Sequence, residues 1–428
     1  MIVVYSDSIS PRLQYVCSFI FEELMGVQYR ILCNGDEYKT ADGFKINYSN
    51  NPVVADECHL PVQGLLFEAG IRPQVIDCTE YNSCKIFFNQ AGRDYPFDIF
   101  SALFYLISRY EEYLPHTKDF YGRYAHENAL GFKEKFLQVP IVNIWIKDFA
   151  TVLVKKFHLL QLTFPSFKFI PTYDIDMAWS YRHKGCSRNM GGFIQSPSLE
   201  RIAVLSGKRK DPFDAYDWMD GVHGQYNLQP IYFFLLAQKN ALYDKNILPD
   251  KKAMQQLIQT HAAKYTTGIH PSWQSGDDFV VLQQEKNLLQ QITQRPVINS
   301  RQHYIRFNLP EGYQRLIEAG ITHDYSMGYG SINGFRASLA SSYYWYNLKT
   351  EQQTNLRIHP FCYMEANSFY EQRFTAAQAF DEMMHYYKQC KKVNGTFISI
   401  WHNHFLGTEK KFDGWKELYK NFIAQVRQ

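Results

Sequence analysis

From residue 165 onward, short apolar runs alternate with helical stretches, and no other feature of the chain restricts its fold as tightly. The runs lie at 167–173, 230–236, 267–269, 297–298, 321–322, 356–358 and 396–401; helices are expected between them at 250–264, 281–294 and 376–392. A strand that returns to its own sheet through a helix lies parallel to its neighbour. Such a sheet is doubly wound or closed as a barrel, and seven strand units are closer to a barrel. In both arrangements functional side chains sit just past the C-terminal ends of the strands.

That rule can be applied strand by strand. The first run ends Thr172-Tyr-Asp174-Ile-Asp176, two carboxylates that strand alternation sets on one face. The third ends His270-Pro-Ser-Trp273, the fourth Arg301-Gln-His303-Tyr304, the fifth His323-Asp324-Tyr325 and the seventh Trp401-His402-Asn-His404. Carboxylate oxygens and imidazole nitrogens together suit a divalent metal such as zinc, with a position left open for water. Such a metal acidifies water and polarises a carbonyl. A second carboxylate can then act as base, and a histidine on the opposite wall can protonate the leaving group. This is the chemistry of amide or ester hydrolysis.

Residues 1–165 mix strand-like runs at 2–5, 29–32 and 85–88 with helical patterns, and read as a smaller α/β domain before the barrel of 166–428. The best helix there is expected at 97–113. Arg109, Glu111 and Glu112 at its end read as solvated charge. With 46% hydrophobic residues the chain is not disordered, and a net charge of +3 gives no support for a nucleic-acid partner. The N-terminus lacks a basic region, an apolar core and a cleavage site, which reads as cytoplasmic. The longest apolar runs are strand-length, so no membrane span is expected. Eight scattered cysteines without C-x-x-C read as ordinary thiols.

Five stretches resemble the motifs of the polysaccharide deacetylase family, the fourth carbohydrate esterase family. They are Thr172-Tyr-Asp174-Ile-Asp176, Pro230-Ile-Tyr-Phe-Phe-Leu235, Gly268-Ile-His270-Pro-Ser272, Ser300-Arg301 and Ile398-Ser-Ile-Trp-His402. The stretches Pro96–Phe100, Ser108–Glu112, Pro171–Trp179 and Asp324–Gly328 further resemble a subgroup in which an uncharacterised α/β domain precedes the deacetylase. The resemblance implies a distorted (β/α)7 barrel that removes acetyl groups from an N-acetylated sugar or glycan precursor. It implies a divalent metal, Zn2+ first and Co2+ or Ni2+ as alternatives. Asp176 and His270 would be ligands, and Asp174 the base that activates water. Arg301 would orient Asp174, His402 would protonate the departing amine, and Asp324 would be an acid near His402.

The family usually supplies a second histidine four residues after the first, where this chain has Gln274. His303, two residues past Arg301, is the expected replacement ligand, with His404 in reserve. Trp273, Tyr304, Tyr325, Tyr329 and Trp401 adjoin the expected mouth and are candidates to stack on a sugar, with Arg336 and His404 as further substrate-binding candidates. The run 343–346 is assigned to packing. The basic stretch from Arg182 to Lys210 reads as a solvated loop. Two rival readings are an inactive glycan-binding barrel that has lost its second histidine, and an amidohydrolase acting on a small non-sugar amide.

Overall fold

A computed structural model describes residues 1–427. The first strand, β1 (Ile2–Tyr5), is fully apolar over Ile2–Val4 and is buried between two parallel neighbours. It joins β2 (Tyr29–Leu32), β3 (Phe44–Asn47) and β4 (Cys58–His59) in the order β2-β1-β3-β4. A hairpin follows, β5 (Thr79–Tyr81) and β6 (Cys84–Ile86), turning through Asn82 and Ser83 at positive φ.

The helix expected at 97–113 is shorter. It spans Ile99–Ile107, where Asp98 caps it by accepting from the Ser101 N–H at 2.9 Å. All nine residues are buried, as befits a helix apolar on every side. Arg109 takes a left-handed conformation (φ 56°) and ends the α-helix; a 3-10 turn, Tyr110–Tyr113, continues from it.

The second half builds a nine-stranded sheet from β7 (Lys168–Ile175), β8 (Ile231–Leu235), β9 (Thr266–His270), β10 (Asn299–Ser300), β11 (His323–Asp324), β12 (Tyr343–Asn347), β13 (Gln352–Ile358), β14 (Tyr363–Met364) and β15 (Thr396–His402). Their order is β12-β13-β11-β10-β9-β8-β7-β15-β14, and every pair is parallel except β12 with β13. Five of the seven expected runs overlap these strands directly, and the runs expected at 297–298 and 321–322 end one residue before β10 (Asn299–Ser300) and β11 (His323–Asp324). Both β12, which the sequence reading left to packing, and the two-residue β14 were not expected. Helices Lys252–Lys264, Phe279–Thr293, Glu311–Glu318 and Ala376–Lys392 form crossovers. The last carries a reciprocal capping box between Thr375 and Gln378. β13 pairs with β11, and only His359–Cys362 separate it from β14, which pairs with β15. One stretch of chain thus serves both ends of the ladder.

The apolar core runs without a break from the four-stranded to the nine-stranded sheet. Among the described residues no helix is long and apolar enough to cross a membrane.

Candidate metal centre

Thr172, Asp174 and Asp176 alternate along the end of β7 and turn to one side, as the period of a strand requires. Arg301, just after β10, is wholly buried and fixes the middle one. Its Nη1 donates to Asp174 Oδ1 at 3.0 Å and to Thr172 Oγ1 at 2.6 Å, while Nε donates to the Tyr325 carbonyl at 3.0 Å. The Phe233 ring lies 4.5 Å from the guanidinium. Held by a planar fork on three acceptors, Asp174 has one oxygen committed and the other turned toward His270 Nε2 at 3.9 Å.

Asp176 stands among three imidazoles. His270 Nε2 is 3.1 Å from its Oδ1; His303 Nε2 and His402 Nε2 are 3.5 and 3.3 Å from its Oδ2. Each ring is oriented from behind through Nδ1. His270 Nδ1 donates to the Arg301 carbonyl at 2.5 Å, His303 Nδ1 to Asp244 Oδ1 at 3.0 Å and His402 Nδ1 to Glu365 Oε1 at 2.7 Å. A carbonyl or carboxylate can only accept, so Nδ1 carries the proton in each ring and Nε2 is the atom presented to the site. Gly268 lets β9 come this close: a Cβ there would lie 2.6 Å from the Phe233 ring and 2.8 Å from the Asn299 carbonyl.

Electrostatics follow from this crowding. Burial pushes the Asp176 carboxyl up, but the charges of His303 and His402 and the His270 contact outweigh it and hold it well below the usual range. Burial pulls His303 down, yet Asp176 and Asp244 lift it to about 9. For His402, Glu365 and then Asp176 outweigh burial, and the imidazolium is held well above its ordinary range.

Asp176, His270 and His303 offer three donor atoms lying within 4.8 Å of one another. Asp176 Oδ1 is buried and makes no hydrogen bond, an acceptor in want of a cation. One carboxylate and two imidazoles, each imidazole backed by an acceptor on Nδ1, fit a divalent metal of the zinc type. His303 enters this set from a 3-10 turn, His303–Ile305, rather than from a strand.

Other expected residues go elsewhere. His404 is buried among Phe213, Phe405 and Phe412, and its Nδ1 has no partner; it is not one of the three donors. Asp324 does not contact His402. It accepts from the Ser326 N–H at 2.8 Å and from the hydroxyls of Ser326 and Ser300 at 2.8 and 3.3 Å. Trp401 is fully buried against Tyr419 and Trp415 and cannot stack on a ligand. Tyr329 is buried beside Arg109, and Arg336 is locked onto Glu112 through two bonds of 2.8 and 2.6 Å. Arg109 donates to the same carboxylate at 2.7 Å, so Arg109, Glu111 and Glu112 are a buried ionic cluster and not solvated charge. Tyr325 is buried on His359, 4.4 Å between ring centres. Trp273 and Tyr304 do remain partly exposed, Tyr304 against His303 and both in a group with Tyr243 and Tyr121.

Residues 2–158 match a family of unknown function, DUF7033. No curated protein matches the chain. Among solved structures it is similar to a Mycobacterium smegmatis protein assigned to the polysaccharide deacetylases, at 14% identity and TM-score 0.40, covering 61% of this chain and 84% of that one. A Pseudomonas aeruginosa PAO1 protein with the same assignment gives 10% and 0.38 over 61% and 85%. A polysaccharide deacetylase from Bacillus cereus gives 9% and 0.31 over 61% and 88%.

Two residues of the centre escaped the sequence reading, Glu365 and Asp244. Glu365 directly follows β14, so the strand-end rule would have found it had that two-residue strand been legible. Asp244 sits in a loop after β8 and carries no periodic signal.

Proposed function

We propose that the chain is a metal-dependent hydrolase that removes the acetyl group from an N-acetylated sugar or glycan precursor and releases acetate. The observation that carries this reading is the convergence of His270, His303 and His402 on Asp176 beside an Arg301-held Asp174. The reading treats 166–428 as a (β/α)7 barrel closed through the β13–β14 stretch, with 1–165 as the preceding domain.

Asp176, His270 and His303 would hold the cation. When bound, a divalent metal supplies Lewis acidity to a carbonyl and raises the acidity of water. Asp174 takes the proton of the attacking water, and Arg301 holds that carboxylate in place and aims it. His402 carries a proton at Nε2 and delivers it to the departing amine nitrogen; Glu365 stabilises that imidazolium from behind. Trp273 and Tyr304 give the sugar a partly exposed aromatic wall.

Gln274, at the position of the family's usual second histidine, favours a second reading, a barrel that binds glycan without cleaving it. Metal analysis of the purified chain, with acetate release from N-acetylglucosamine oligomers, separates the two. Bound metal with acetate release is expected. A chain that holds neither metal nor activity rules out the hydrolase, and release from simple amides alone replaces the sugar by a small non-sugar substrate.

A further inference from the structure

Between β7 and the helix Tyr216–Tyr226 the chain makes an excursion that the centre does not use. Buried Asp211 ties its two ends together. Its carboxylate accepts from the N–H groups of Ser180, Tyr181 and Arg182 at 2.8–3.0 Å and from Phe213 N–H at 3.0 Å. Beyond this clasp stand two short helices, Cys186–Gln195 and Leu199–Leu205, joined by Ser196-Pro-Ser198.

These helices lack what normally stabilises a helix in water. The first buries no residue at all and carries Gly191 and Gly192 in its middle; the second buries only Val204. Their apolar side chains face outward. Met190, Phe193 and Ile194 share one stripe at i, i+3 and i+4, and Leu199, Ile202 and Leu205 recur on the other helix. Ile194 is 75% exposed and Leu199 85%.

Charge on the same segment is one-sided. Residues 182–210 hold seven Lys and Arg against the single acid Glu200, a net charge of +6 in a chain whose total is +3. Only Arg209 and Lys210 have carboxylate partners among the described residues, Arg209 with Glu200 and Lys210 with Asp214 and Asp217.

We infer that this cationic helical hairpin docks on an anionic lipid surface, lying in the interface with its six apolar side chains in the acyl boundary. Exposed aliphatic side chains framed by cations are what an interfacial helix needs, and burying them supplies the packing the helices lack. A polyanionic glycan would meet the cations but leave the aliphatic stripes in water. A symmetric pair of chains joined through this face would set two +6 surfaces against each other. Because the excursion leaves the sheet directly after Asp176, docking there would hold the candidate centre close to the membrane plane.

The test is sedimentation of the full chain with vesicles of phosphatidylcholine alone or mixed with phosphatidylglycerol. The wild type is expected to partition onto the mixed vesicles at least about tenfold more strongly than onto neutral ones. Ile194→Glu with Leu199→Glu should weaken that binding by about tenfold or more, with an unchanged thermal unfolding curve because both side chains are exposed. Arg182→Glu with Lys208→Glu should remove the preference for anionic lipid. Equal binding by wild type and the Ile194/Leu199 variant overturns the inference, as does the absence of binding to either vesicle. A wild-type dimer in light scattering that the same variant splits assigns the face to a second copy instead.

Discussion

One oxygen of Glu365 accepts two hydrogen bonds from a single residue, the backbone N–H and the imidazole Nδ1–H of His402, each at 2.7 Å. The histidine is therefore fixed in position and in tautomer by one buried carboxylate. An acid that must deliver its proton from Nε2 needs both.

Glu365→Gln tests this coupling. The amide still reaches His402 but no longer stabilises its positive charge. In the proposed mechanism His402 acts protonated, so wild-type hydrolysis is expected to fall as pH rises through its raised pKa. In the variant that alkaline limb moves to lower pH, and kcat falls about 10²-fold with KM little changed. A pH–rate profile of acetate release reads both effects; an unmoved limb would make Glu365 purely structural.

The two aspartates at the end of β7, Asp174 within it and Asp176 directly after, should separate by function. Asp174→Asn is expected to keep the metal and lose about 10³-fold in turnover, since in the proposed mechanism it removes the base and not a ligand. Asp176→Asn should weaken metal binding by more than the roughly 10–100-fold typical of an outer-shell partner. Metal content after dialysis distinguishes them, and metal loss in the Asp174 variant would exchange their roles.

Asp324 makes a prediction about stability and not turnover. Burial lifts its carboxyl to about 6, against the Ser326 hydrogen bonds that favour the charged form. A carboxyl raised in the folded state stabilises the fold below its unfolded pKa, and that contribution disappears as pH rises through about 6. The change is about 2 kcal/mol between pH 4 and 7. Asp324→Asn should flatten this part of the unfolding profile, measured by denaturant at several pH values.

Glu112 holds Arg109 and Arg336 together out of water. Burial raises its pKa, but the two guanidinium groups bring it down to about 2. Its stabilisation is therefore present above the ordinary carboxylate range and lost only in strong acid. Glu112→Ala leaves buried Arg336 without a carboxylate and Arg109 with Glu111 alone, and should cost about 3–5 kcal/mol in chemical denaturation, with no direct effect on metal content.

Much of the centre was legible because its signal is local. Residues at the end of a strand alternate sides, and a parallel sheet gathers its strand ends at one edge; both rules act on neighbours in sequence. That is enough to bring Asp174, Asp176, His270, Arg301, His303 and His402 into one group. The same rules misjudge Trp401, Tyr329 and Arg336, since adjacency to the mouth says nothing of depth. Trp401 is fully buried against Trp415 and Tyr419 and lines no open wall.

The alternation of strands with helices, read from the sequence, determined a parallel α/β sheet and the identity of its polar strand ends. Only the tertiary structure decided which distant groups meet. Glu112 reaches Arg336 across 224 residues, and Glu365 rather than Asp324 is placed behind His402. The reason is physical: a charged side chain in the interior must find a partner, but the partner is set by which strands become neighbours and how deeply each loop is covered. Period and composition carry no record of that choice.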